Sequence, residues 1–173
     1  MEYTDITCFP PDDKKIRLVL KKNGEKPLLV LGLNPSTADE RHPDATIRKI
    51  MGFAERWGYD SFIMVNVYPL RSTFPSALPK EFDEDLHIQN YRTIEKVISR
   101  LGYTEVLVCY GDNITVQPYL EFCKSEILKM LSAYSKLKLV RIRDLTIKGN
   151  PRHPCRLSYE SPKMEFEIKK NYA

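Results

Sequence analysis

Apolar residues in this chain come in short bursts whose spacing switches between two periods, and the switches locate the elements. Lys15-Ile16-Arg17-Leu18-Val19-Leu20 and Pro27-Leu28-Leu29-Val30-Leu31-Gly32 flank Asn23-Gly24. An Asn-Gly pair between two apolar runs predicts a hairpin, so the chain is expected to open with paired antiparallel strands. The second run is apolar without alternation, which places it inside a sheet covered on both faces. After Pro43-Asp44, the residues Ile47, Ile50, Met51, Ala54 and Trp57 recur at helical spacing, with Gly58 as the stop. Ser61 to Val67 reads as the next strand. Tyr91, Ile94, Val97, Ile98 and Leu101 mark a second helix closed by Gly102, and a strand follows from Glu105 to Tyr110. Pro118 opens a third helix with Leu120, Cys123, Ile127, Leu128 and Leu131 on one face, and Leu137 to Ile142 is the last strand.

Alternation of strands and helices predicts right-handed crossovers. The expected fold is α/β with three layers, α/β/α, around a mainly parallel central sheet with an antiparallel N-terminal hairpin strand. Residues 1–173 read as a single domain, with a core over about 14–159 and a C-terminal tail over 160–173. Ligands of such sheets bind beyond the carboxyl ends of the strands. Those ends are Leu33 to Ser36, Asn66 to Phe74, Tyr110 to Asn113, and the stretch from Thr146 onward.

Composition narrows the partners without choosing one. Hydrophobic residues make up 42% and charged residues 29%, ordinary globular usage that argues against disorder, coiled coil or collagen-like repeat. The net charge of +4 is the small difference between 27 basic and 23 acidic side chains, which permits a polyanionic partner without demanding one. Apolar runs such as Leu28 to Leu31 are far too short to span a membrane, and the first residues have no signal-peptide pattern, so a cytoplasmic protein is expected. Cys8, Cys109, Cys123 and Cys155 lack metal-ligand spacing and read as reduced thiols, and no cofactor or metal is expected.

Three polar positions stand where chemistry would be sought. Asn34 leaves a buried strand abruptly, with Pro35 barring helix and with Ser36 and Thr37 offering hydroxyls to an anion. Asn66 ends an apolar strand with an amide that can pair with the polar edge of a planar ligand such as a nucleobase, or merely cap its own sheet edge. Gly149-Asn150-Pro151-Arg152-His153-Pro154 is a rigid turn that carries one of three histidines beside Arg152 and Arg156. His153 so held can donate to a developing oxyanion or bind phosphate, or simply face solvent. From Tyr68 to Asp83 the chain reads as a long irregular loop with Arg71 near its start.

Taken together, Asn34-Pro35-Ser36, Arg71 after an Asn-ending strand, and Gly149 to Pro154 resemble the bacterial and phage family called domain of unknown function 1643. The chain also bears a distant similarity to the uracil-DNA glycosylase superfamily, particularly its mismatch-specific branch. There a strand ends in Gly-Ile-Asn-Pro-Gly, another in an Asn that reads the base, a third runs into Trp-Gly, and a His-Pro-Ser-Pro-Leu-Ser motif follows. In the same order this chain has Gly32-Leu33-Asn34-Pro35-Ser36, Asn66, Tyr110-Gly111 and His153-Pro154-Cys155-Arg156-Leu157-Ser158. The resemblance implies that Asn34 orients water or steadies the sugar cation, that Asn66 hydrogen-bonds the base, and that His153 stabilises the departing base. It further implies Leu157 as a wedge in the base stack, with Ser36 and Ser158 on phosphates; Arg71, Arg152 and Arg156 are further phosphate-binding candidates.

The chain departs from the glycosylase pattern in two respects. No Phe, Tyr or Trp lies between Asn34 and Phe53 to stack on a flipped base, and no carboxylate replaces Asn34 as a strong general base. Two functions are therefore expected of one cleft: cleavage of a base–sugar N-glycosidic bond, or non-catalytic binding of a nucleotide or nucleic acid. A third, partner binding over a vestigial cleft, carries less weight.

Overall fold

The computed structural model describes residues 1–101 and 104–168. Seven strands, β1 (Ile6–Phe9), β2 (Val19–Lys22), β3 (Pro27–Gly32), β4 (Ser61–Asn66), β5 (Thr104–Val108), β6 (Leu137–Ile142) and β7 (Lys163–Glu165), make one mixed sheet in the order β1-β2-β4-β3-β5-β6-β7. The central four, β4, β3, β5 and β6, are parallel to one another, whereas β1, β2 and β7 join antiparallel at the two sides. Three helices connect them: α1 (Ala45–Arg56), α2 (Glu84–Leu101) and α3 (Pro118–Ser132).

The continuous apolar run of β3 sits where its composition requires. Leu28, Leu29 and Val30 have no exposed surface, because alternate side chains enter two different cores. Leu28 and Val30, with Phe62, Met64 and Leu107, pack on the α1 residues Ile47, Ile50 and Phe53. Leu29 and Leu31, with Val65 and Val108, meet Ile94 and Ile98 of α2 and Leu120, Ile127 and Leu131 of α3 on the other face. The α1 boundaries follow local chemistry. The Asp44 side chain accepts from the Ile47 backbone N–H at 2.9 Å as an N-cap, and Gly58 at φ +76° takes the left-handed conformation just past the helix end.

The expected hairpin between β2 and β3 is not formed; β4 lies between them, antiparallel to β2 and parallel to β3. A two-residue hairpin turn of the Asn-Gly kind needs positive φ at both positions, and neither Asn23 nor Gly24 adopts it. The connection is instead fastened to the start of β4, where the Asp60 carboxylate accepts from the backbone N–H groups of Glu25 (3.0 Å) and Lys26 (2.9 Å). The N-terminal antiparallel pair is β1 with β2, so structure begins upstream of residue 14. At the other end β7 turns part of the expected tail into a strand. Gly102, expected to close α2, lies outside the described residues. Among the described residues no helix is long and apolar enough to cross a membrane.

Candidate functional site

A cavity of about 580 Å³ opens at the carboxyl ends of β3 and β5, on the α1 side of the sheet. Asn34, Ser36 and His153 line it together with Tyr110 of the Tyr110-Gly111 motif, and so do Arg17, Asp44, Cys109 and Asp112, which no sequence motif marks as site residues. The chain reaches this point by leaving β3 at Gly32 and running through Leu33 into the loop before α1, which lies beside the loop after β4. That loop is tied back by Val67 N–H to the Gly32 carbonyl (2.9 Å) and Ser72 N–H to the Pro35 carbonyl (2.8 Å). Asn34 reinforces the same seam. Its amide nitrogen donates to the carbonyls of Ser72 (2.9 Å) and Pro35 (3.0 Å), which leaves its Oδ1 as the atom without a protein partner among the described residues.

His153 is positioned by a separate device. Gly111, past the end of β5, adopts φ +72° and ψ −175°, and its N–H donates to the Pro151 carbonyl at 3.0 Å. A Cβ there would stand 3.1 Å from His153 Cβ, so the missing side chain is what lets the His-Pro turn dock. The neighbouring Asp112 carboxylate accepts from Thr146 Oγ1 (2.6 Å) and Asn150 Nδ2 (2.8 Å), bonds that hold its pKa below the ordinary carboxylate value. The His153 ring is reachable from solvent but walled by protein, and this crowding holds its pKa below the usual histidine value against the opposing charge of Asp44. At neutral pH it is an uncharged imidazole. The long contact from Cys155 N–H to His153 Nδ1 (3.5 Å) favours the tautomer with hydrogen on Nε2, a donor.

Asn66 is near the cavity but not on its surface. It pairs in register with Gly32, on the same face as Phe62 and Met64, and it has no exposed area. Its backbone carbonyl accepts from Asn90 Nδ2 at 2.9 Å, yet its own Nδ2 and Oδ1 have no partner among the described residues. An atom at the position of a Gly32 Cβ would lie 3.0 Å from Asn66 Oδ1 and 2.4 Å from Met64 Cε. Gly32 and Met64 both line the cavity, so a single layer of atoms separates the unpaired amide from it.

The remaining candidates are placed elsewhere. Arg71 is a loop clamp: Nε donates to the Asp13 carbonyl (3.1 Å), and Nη1 to the carbonyls of Ser36 and Ala38 (both 2.9 Å). It borders a smaller neighbouring hollow with Lys14, Ser36 and Ser72. Arg152 clamps its own turn through the carbonyls of Asp144 (2.8 Å) and Leu145 (3.2 Å), outside the cavity lining. Arg156 and Ser158 are exposed and outside the lining too, and Ser158 Oγ accepts from Glu160 N–H at 3.2 Å. Leu157 is 8% exposed within the α1-side core, so wedging into a base stack would require it to leave that core. Among the described residues no group of three or more His, Cys, Asp or Glu side chains is placed to hold a metal ion.

Arg17 was legible only in part. A charged residue within Ile16-Arg17-Leu18-Val19 is visible, but its head group is buried through loops distant in sequence, its Nη1 meeting the Ala38 carbonyl, which local pattern does not specify. No curated protein and no solved structure matches the chain, so the glycosylase similarity rests on the motifs alone. The model of one family, described as protein of unknown function (DUF1643), matches residues 17–155, a span that begins at the buried Arg17 and ends at the Cys155 of the cavity wall, and the chain belongs to that family.

Proposed function

We propose that the cavity receives a nucleobase-bearing ligand, a nucleotide or the end of a nucleic acid, and holds it without cleaving it. The observation that carries this reading is the unpaired amide of Asn66 behind Gly32 and Met64. A buried polar group left without a partner costs about 1–3 kcal/mol, and a side-chain amide offers both donor and acceptor, matching the edge of a base. Met64 is unbranched, so rotation of its terminal methyl opens the space in front of Gly32 and brings Asn66 within reach of a ligand. Asn34, whose Oδ1 is an acceptor, and His153, whose Nε2 is a donor, line the same cavity.

Binding is favoured over hydrolysis because the cavity has no uncommitted carboxylate to serve as a strong general base. Its two carboxylates are engaged, Asp44 in capping α1 and Asp112 in holding the His-Pro turn. A second reading, N-glycosidic cleavage, is supported by one observation: His153, whose Nε2 is the donor nitrogen, lines the cavity, where it would serve a departing base.

Calorimetric titration with nucleobases, nucleosides and nucleoside monophosphates tests the first reading. Asn66→Ala should weaken binding about tenfold or more, the value of roughly one buried hydrogen-bond set. Equal affinity in wild type and variant would refute it. Incubation with uracil-containing and mismatched oligonucleotides tests the second: base release that His153→Ala lowers on the order of 10²-fold would establish cleavage. No release from any substrate would leave binding alone.

A further inference from the structure

Arg17, two residues before β2, is only 2% exposed, yet it forms part of the cavity wall. Its Nη1 donates to the Ala38 carbonyl at 3.0 Å, and its buried Nε has no partner among the described residues. Among the described residues no carboxylate comes within ion-pair distance of it. Arg71 Nη1 donates to the same Ala38 carbonyl at 2.9 Å, so two guanidinium groups converge on one oxygen. Burial, with the Arg71 charge beside it, pushes the Arg17 pKa down to about 10, which leaves it protonated at neutral pH. Asp44 acts on it only at a distance, through a carboxylate committed to backbone N–H groups.

A buried cation of this kind is an expense that folding alone does not explain, since the effective penalty is several kcal/mol and an apolar side chain of similar volume would avoid it. Its place in the wall of an open cavity supplies the explanation. We infer that Arg17 anchors an anion subsite in this cavity and that the group it takes is a phosphoryl group of the ligand. A phosphoryl group fits better than a carboxylate because Ser36, Thr37 and Thr73 line the same cavity, and their hydroxyls serve more oxygens than a carboxylate has. A planar guanidinium forks two parallel hydrogen bonds to such a group. The inference deepens the nucleobase reading and rests on it only in that both use this cavity; it does not require the ligand to carry a base. The phosphoryl group can come from a mononucleotide or from the terminal phosphate of a nucleic acid.

The test pairs anion binding with stability. Inorganic phosphate should raise the melting temperature of the wild-type protein more than chloride does at matched ionic strength. Arg17→Met should lose that increment and bind nucleoside monophosphates at least tenfold more weakly, with unchanged affinity for the nucleosides. Its melting temperature without phosphate should equal or exceed that of wild type. Arg17→Lys, which keeps the charge and loses the fork, should weaken monophosphate binding several-fold, and it carries the test if Arg17→Met does not fold. Oligonucleotides with 5′-phosphate or 5′-hydroxyl ends, compared with monophosphates, identify the source of the group. Wild-type protein that distinguishes phosphate no better than chloride would overturn the inference, whatever the variants do. So would loss of the phosphate response in Lys14→Ala but not in Arg17→Met, which would move the anion to the neighbouring hollow. Nucleosides that bind as tightly as their monophosphates would sink the phosphoryl subsite and leave base recognition standing. Phosphate binding that depends on Arg17, without any nucleoside binding, would do the reverse.

Discussion

Gly111→Ala is the most informative single substitution, because it loads one methyl group onto the contact that positions His153. At φ +72° and ψ −175° the backbone is in a region almost restricted to glycine, where another residue costs about 1–3 kcal/mol. The added Cβ would also meet His153 Cβ at 3.1 Å and His153 N at 3.6 Å, so the His-Pro turn must retreat by a few tenths of an ångström. For a domain of this size each kcal/mol corresponds to about 2–4 °C, and the melting temperature should fall by about 3–10 °C. Gly58→Ala is the control. It has a similar φ of +76° but meets only the far end of Lys26, at 3.9 Å, and should cost about 1 kcal/mol without disturbing the cavity. Urea denaturation of both variants, with calorimetric titration of nucleoside monophosphates, separates backbone strain from displacement of His153. Should Gly111→Ala destabilise no more than Gly58→Ala and leave binding intact, the docking role of Gly111 would be refuted.

Three further outcomes are expected. Gly32→Ala should fold, because the nearest obstacle at 2.4 Å is the movable end of Met64, but it should weaken nucleoside binding tenfold or more by sealing off Asn66; titration checks it. Burial pushes the pKa of both His87 and His153 below the ordinary histidine value, so the unfolded chain takes up these protons first. The stability they contribute is complete above about pH 6.5 and is lost as the pH falls through their folded-state values; His87→Leu should flatten this loss in urea titrations run across that range. Cys8, Cys109 and Cys123 are buried, the last two with thiols pushed up to about 12, so only Cys155 should react promptly with a disulfide reagent in the native protein. Because Cys155 lines the cavity, nucleoside monophosphate should slow that reaction, and equal rates with and without it would count against a ligand there.

The elements of this protein are legible in its sequence wherever their causes are local. The unbroken apolar run Leu28 to Leu31 announces a strand buried on both faces. Asp44 and Gly58 bracket α1 because a cap and a left-handed stop act within one turn. The order of strands and helices likewise tells which loops share an edge of the sheet, which is why Asn34 and His153, far apart in the chain, could be assigned to one cleft and do line one cavity. Tertiary structure alone decided the rest, because each remaining point turns on what a residue meets across the fold. β2 pairs with β4 rather than β3, since Asp60 captures the connection that Asn23-Gly24 was expected to turn. Arg71 and Arg152, cations that read as phosphate ligands, are committed to backbone carbonyls that the folding of their own loops brings to them. Leu157 looks like a protruding wedge in the chain and is buried against α1 in the fold. Arg17, whose side chain an isolated strand would expose, is enclosed at the cavity wall with no ion-pair partner among the described residues, because burial and pairing are properties of the assembled molecule.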